Sequence, residues 1–169
     1  YLAMSTKMKG DIAEQAVILA SLKKSWNVLT PVGDRLAYDL VFEIDNRFIK
    51  IQVKAAWFDA KKSNWVVDVR RTKTNRREIT RTSYQNDDFD FAILCIIELD
   101  IFYVMPIDIF VSYGSEIHLV EDEKRQRKPK SAEFREAWHL ITKMLLFYFI
   151  LCFLIYCFSS LVNSIFLLQ

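Results

Sequence analysis

An α/β layered domain is the architecture this sequence predicts, and three observations predict it. Residues from about 7 to 24 carry apolar side chains at helical spacing. Two short alternating runs, 39–44 and 47–54, flank an Asp-Asn pair suited to a tight turn. Two further strand-like runs, 91–97 and 102–107, follow a polar, basic stretch. The resulting order is helix, three strands, basic loop, strands, helix. A length of 169 residues favours one domain with one sizeable core.

Each element has its own grounds. Met8, Ile12, Val17, Leu19, Ala20 and Leu22 give the first helix its apolar faces, and Lys23 and Lys24 suit the negative end of its dipole. Val32-Gly33-Asp34 after Pro31 reads as a turn. Asp45 and Asn46 tolerate left-handed backbone, so a two-residue hairpin turn joins the next two strands. Trp65 to Val69 is a third strand, and 70–86 a loop or projecting hairpin. Pro106 interrupts the strand from 102 near its end, and Glu116 to Val120 is a short edge strand. Ser131 is a suitable N-cap, with Glu133 in the first turn of a helix over 132–143 that carries Phe134, Trp138 and Ile141. There are no internal repeats.

Composition narrows the function. A formal net charge of +2 gives no global pull on nucleic acid, but charge here is clustered, and clusters act over about a Debye length, ~8–10 Å. Cys95, Cys152 and Cys157 are odd in number and lack paired spacing, which points to a reducing compartment. His118 and His139 are too few and too scattered for a zinc site. No N-terminal signal peptide is visible, and Met4, followed by Ser5-Thr6-Lys7, is a candidate initiator.

The hairpin carries the chemistry. With Asp45-Asn46 as its turn, Ile44 pairs with Arg47 and Asp39 lies opposite Gln52. Asp39, Val41 and Glu43 then share a face with Phe48, Lys50, Gln52 and Lys54, while Leu40, Phe42, Ile44, Ile49, Ile51 and Val53 form the apolar face. Opposed Cβ atoms stand about 4.5–5.5 Å apart. An aspartate oxygen and a glutamine carbonyl at that spacing can touch one Mg²⁺, a hard cation that prefers oxygen. Lys54 can hold or deprotonate a water, or stabilise charge on a phosphate. Such a set suits phosphodiester hydrolysis. The same spacing also describes ordinary solvated groups on an exposed sheet face.

Pro31 and Asp39, then Ile51-Gln52-Val53-Lys54 after the hairpin, together with Glu14 in Lys9-Gly10-Asp11-Ile12-Ala13-Glu14, resemble the motif of the PD-(D/E)XK nuclease superfamily. Gly10 to Glu14, Tyr38-Asp39-Leu40-Val41, Phe89 to Ile97, Phe102-Tyr103-Val104 and Glu136-Ala137-Trp138 are similar to the group I intron-encoded homing endonucleases of this superfamily known from cyanobacteria. The resemblance spans residues 4–143 and implies a restriction-endonuclease-like core, a mixed sheet flanked by helices. It implies Glu14, Asp39, Gln52 and Lys54 as catalytic residues. Glu14, Asp39, Gln52 and the Val53 backbone carbonyl are the implied metal ligands, for Mg²⁺ or another divalent cation such as Mn²⁺. Asp11, one turn before Glu14, is the rival ligand. Gln52 stands where the superfamily usually has an acid; the intron-encoded group is similar in using glutamine. An amide keeps a carbonyl oxygen but removes a charge, and its NH₂ needs an acceptor such as Glu14 or water.

The partner implied is double-stranded DNA. Residues 70–84 hold six basic residues and one acid, interleaved with hydroxyls, a pattern that serves phosphates and base edges and equally describes a solvated surface. The candidate DNA contacts are Arg70, Arg71, Lys73, Thr74, Asn75, Arg76, Arg77 and Arg81. The run 124–130 is a weaker candidate, because Glu121, Asp122 and Glu123 dilute it. A duplex target calls for self-association, at least a dimer, since symmetry supplies one active site per strand; the resemblance implies a tetramer. No small-molecule cofactor is expected. Residues 144–169 hold no charge and are long enough to span a bilayer, with Lys128, Lys130, Arg135 and Lys143 on the side that would stay inside. A membrane role nevertheless fits DNA cleavage poorly. The tail is therefore read as lying outside the catalytic unit, as an appended or read-through segment or a helix buried between subunits, and the protein as cytoplasmic. The function expected is site-specific duplex cleavage in intron homing. Its alternatives are a junction-resolving or restriction-type nuclease of the same fold, a catalytically silent DNA-binding relic, and a membrane-anchored protein of unrelated function.

Overall fold

The computed structural model describes residues 4–33, 35–74, 79–122 and 129–145. The chain divides into two units, Tyr1–Ala137 and Trp138–Gln169. In the second, residues 139–145 are helical, and the uncharged tail from 146 onward lies outside the described residues.

The first unit begins with helix α1, Thr6–Leu22, whose N-cap Ser5 accepts the Met8 N–H at 3.2 Å. Ala13, Val17 and Ser21 recur every fourth residue and form its buried stripe. Strand β1, Asn27–Leu29, follows, and then β2, Leu40–Ile44, and β3, Arg47–Ala55. Asp45 and Asn46 both take positive φ, 50° and 60°, as a primed two-residue turn requires. The register runs from Ile44 opposite Arg47 to Leu40 opposite Ile51. Leu40, Phe42, Ile49 and Ile51 are almost fully buried, α1 packs on β3, and Phe42 meets the ring of Trp26 just beyond the helix.

Two further strands, β4 (Trp57–Asp59) and β5 (Asn64–Asp68), form a hairpin; β6 (Arg71–Thr74) and β7 (Ile79–Thr82) form another. The expected strand at 65–69 is thus β5, and the polar stretch is a hairpin rather than a loop. Strands β8, Phe91–Ile96, and β9, Ile101–Pro106, complete the main sheet, ordered β1-β2-β3-β8-β9. Only β3 and β8 pair in parallel, so the sheet is mixed. Every residue of β8 is buried, as the unbroken apolar run Phe-Ala-Ile-Leu-Cys-Ile demands of a strand covered on both faces. Burial pushes the Cys95 thiol up to about 12, aided by the negative charges of Asp100, Glu98 and Glu136. A short helix α2, Ile107–Ser112, follows Pro106, and β10, Glu116–Leu119, joins β5 in a second sheet, β10-β5-β4.

Of the helix expected over 132–143, residues 139–143 are helical, but its start is corrected. Residues Lys130–Phe134 form a 3-10 turn, and the Ser131 hydroxyl donates to the His118 carbonyl at 3.1 Å instead of capping a helix. Arg135 is extended and bridges Tyr103, and Glu136 has φ 49°. The Glu136 N–H donates to the Phe102 carbonyl at 2.7 Å, while its carboxylate accepts the Phe102 N–H at 2.8 Å. The edge of β9 thus captures two residues that helical periodicity alone would have kept in a helix.

Candidate active site

The face of β2 and β3 opposite the core is graded along its length. Near the turn Phe48 is 64 % exposed, whereas Gln52 is only 7 % exposed. The difference arises because β5 packs against β3 and because Tyr84, buried just beyond β7, stands beside Lys54. What alternation alone would leave as solvated groups is therefore enclosed at the Gln52 end.

Asp39 immediately precedes β2, and its N–H continues the ladder by donating to the Ile51 carbonyl at 2.9 Å. Its side chain turns to β3. There Oδ2 accepts the Val53 N–H at 2.8 Å and a short bond from Gln52 Nε2. The same Gln52 nitrogen donates to the Val53 carbonyl at 3.1 Å. The acceptors of the Gln52 amide are Asp39 and Val53, rather than Glu14. Lys54 points its Nζ at the Arg70 carbonyl, 3.0 Å away, and lies 5.1 Å from the centroid of the Tyr84 ring. Arg71 folds inward, one guanidinium nitrogen donating to the carbonyls of Arg35, at 3.1 Å, and Leu36.

The electrostatics are those of two acids withdrawn from water. Burial pushes the Glu14 carboxyl up to about 7, reinforced by the negative charges of Asp39 and Asp11. Burial likewise raises the Asp39 carboxyl, against the opposing effects of the Val53 N–H, the Lys54 and Arg71 charges and the Gln52 amide. Lys54 is lowered by burial, although Asp39 and Asp68 attract its charge. Both carboxyls are thus disfavoured as anions, and a cation near them would reverse that. Glu14, half-buried on α1 next to Ala13, lies within electrostatic reach of Asp39, whereas Asp11 is exposed.

Among the described residues no cluster of three or more His, Cys, Asp and Glu side chains forms. The oxygen donors available are two carboxylates, one amide and one backbone carbonyl. Asp39 Oδ2 and the Val53 carbonyl already converge on one N–H-bearing nitrogen, Gln52 Nε2. Two oxygens aimed at one hydrogen-bond donor, with a second acid, Glu14, close by, fit a hard divalent ion. Oxygen from Gln52 would join them once its amide turned over.

The candidate DNA contacts divide. Arg70 is exposed at the head of the β6–β7 hairpin, its N–H donating to Asp68 at 2.8 Å. Arg81 on β7 is 57 % exposed and 3.9 Å from Asp68. Lys73 and Thr74 lie on β6, while Asn75, Arg76 and Arg77 lie outside the described residues. Tyr84 and Asp68 were missed as site residues. Nothing in their spacing ties them to Lys54, and only the placement of β5 and β7 brings them near it.

Residues 4–141 match the family model described as PD-(D/E)XK endonuclease. Among solved structures, the chain is similar to the bacterial homing endonuclease I-Ssp6803I, with 59 % identity and a TM-score of 0.78, over 83 % of this chain and 95 % of that one. The crystal structure of MepB is a distant match, at 14 % identity and TM-score 0.39 over 71 % of this chain and 89 % of that one, and carries no argument. A comparison with curated proteins found no match.

Proposed function

The chain belongs to the PD-(D/E)XK endonucleases, and on that premise we propose that this DNA endonuclease is site-specific, requires a divalent metal, and cuts duplex DNA in group I intron homing. The observation that carries the metal requirement is the pair of carboxyls, Glu14 and Asp39, that burial disfavours as anions, with the Asp39 charge adding to the effect on Glu14. The 59 % identity to a homing endonuclease supports the site-specific, homing role.

Glu14, Asp39, Gln52 and the Val53 carbonyl are the proposed holders of Mg²⁺, with Mn²⁺ as its substitute. When bound, the ion would polarise the phosphate and make water a stronger nucleophile. The protein's own groups do the rest. Lys54 is held between the Arg70 carbonyl and the Tyr84 ring. It presents an ammonium, with its proton loosened by burial, to the attacking water or to the phosphate oxygen where charge grows. Asp39, fixed by the Val53 N–H, cannot swing away when the Gln52 amide releases it. The exposed arginines Arg70 and Arg81, with Lys73, Thr74, Asn75, Arg76 and Arg77, are proposed to meet the duplex. A dimer or tetramer would place one such site on each strand, in the cytoplasm. Among the described residues no helix is long and apolar enough to cross a membrane.

A second reading, a silent DNA-binding module, draws on the Gln52 amide, which already satisfies Asp39 and Val53 through hydrogen rather than metal. Incubation with DNA carrying the intron-free exon junction separates the readings. Homing requires discrete Mg²⁺-dependent cutting at that junction, loss with a chelator, and loss in Asp39→Asn. Binding without cutting supports the silent module, and cutting at branched or many unrelated sites supports a junction-resolving or restriction-type enzyme.

A further inference from the structure

We infer that Arg71 and Tyr84, at the two roots of the β6–β7 hairpin, are positioning residues that hold Asp39 and Lys54 in place for cleavage. The inference rests on the nuclease reading of that site and adds two residues to it. Arg71 is the first residue of β6, and Tyr84 follows β7 by two residues. Its place in a basic run would make Arg71 a phosphate contact. The structure turns it the other way.

One guanidinium nitrogen of Arg71 bridges the carbonyls of Arg35 and Leu36, in the segment that leads into Asp39. Residues 35–37 of that segment belong to no regular element, and Leu36 is 46 % exposed. A terminal guanidinium nitrogen carries two N–H donors, one for each carbonyl, at the end of a side chain one atom longer than that of lysine. At the other root, the face of the Tyr84 ring lies 5.1 Å from Lys54 Nζ. Tyr84 is itself fixed, edge-on to Phe89 at 5.0 Å and beside Phe110 at 6.0 Å. The Arg70 carbonyl, adjacent to Arg71, takes the Lys54 hydrogen bond. The segment before Asp39 is therefore tied to the β6 root of the hairpin, and Lys54 to both roots.

The test compares Arg71→Gln, Arg71→Lys, Tyr84→Leu and Tyr84→Phe with the unaltered full chain. Three readouts are used: amide exchange at Asp39 and Val53, the salt dependence of binding to a non-specific 30-base-pair duplex, and kcat against KM on junction DNA. Positioning predicts that Arg71→Gln speeds exchange at the Asp39 and Val53 amides about tenfold. The salt slope should be unchanged, and kcat should fall with KM unaltered. Arg71→Lys should fail to restore these, since its ammonium ends one atom short of the bridging guanidinium nitrogen. A salt slope lower by about one, restored by lysine, identifies a phosphate contact and overturns the inference; so does unaltered exchange. Should Arg71→Gln not fold, the tyrosine pair decides. Tyr84→Phe keeps the ring face and should keep kcat, whereas Tyr84→Leu should lower it. Equal loss in both, or in neither, removes Tyr84 from the role. If the unaltered protein itself does not cut junction DNA, the nuclease reading fails instead, while the exchange and salt-slope comparison still judges Arg71.

Discussion

Replacing Glu14 with glutamine should make the metal-free protein more stable at alkaline pH. In the folded state the Glu14 carboxyl is raised from 4.5 to about 7, by burial first and then by Asp39 and Asp11. The unfolded chain gives up this proton near 4.5, but the folded chain keeps it until about 7. Between those values the folded state binds more protons, so stability falls as pH rises, and the full penalty stands above about 7. At about 1.4 kcal/mol per pH unit the ceiling is ~3.4 kcal/mol. Glu14 is only partly buried, however, and solvent screening reduces this to roughly 1–2 kcal/mol. Urea denaturation of both proteins, at pH 5 and pH 8 with a chelator present, measures it. Glu14→Gln should gain about 1–2 kcal/mol over the unaltered protein at pH 8 and much less at pH 5. Adding Mg²⁺ should narrow or reverse the gap, because only the unaltered protein retains both carboxylates for the ion. Equal stability at pH 8, or a less stable variant, would refute the idea that folding holds Glu14 where its anion is disfavoured.

Asp39→Asn should abolish junction cutting, by at least about 100-fold in kcat/KM, while leaving duplex binding within a few-fold; loss of binding as well would assign Asp39 a wider role. Gln52→Glu adds a third carboxylate beside Asp39 and removes the amide bond; it should tighten Mg²⁺ binding in calorimetry and cost the metal-free protein roughly 1–3 kcal/mol. Cys95, buried in β8 with its thiol pushed up to about 12, should resist alkylation until the protein unfolds. Peptide mapping would show this, and fast labelling of Cys95 under native conditions would contradict the central placement of β8. Asn46→Ile should destabilise by about 1–2 kcal/mol in thermal unfolding, since φ of 60° disfavours a β-branched residue, whereas Asn46→Gly should be neutral or slightly stabilising.

Much of the site was legible because its geometry is local. Alternation and the Asp45-Asn46 turn set the register of β2 against β3, and the register alone put Asp39 beside Gln52 with Lys54 one pleat further. Glu14 was legible only through resemblance, since a helical glutamate carries no signal of what it faces. The missing strands were short. Asn27–Leu29 and Trp57–Asp59 have three residues each, too few for a period to show, and both are defined by antiparallel partners. The start of the expected helix over 132–143 failed where Glu136 bonds Phe102, a contact 34 residues distant in sequence.

By itself, then, the sequence determined the α/β class, the hairpin, the apolar face and the acid-amide-lysine set, because these follow from side-chain period and turn chemistry between near neighbours. Tertiary structure decided what that set experiences. Burial at Gln52, the raised carboxyls, the Tyr84 ring beside Lys54 and the inward turn of Arg71 all arise where distant segments meet. Desolvation and through-space charge depend on which segments those are, and no spacing along the chain encodes them.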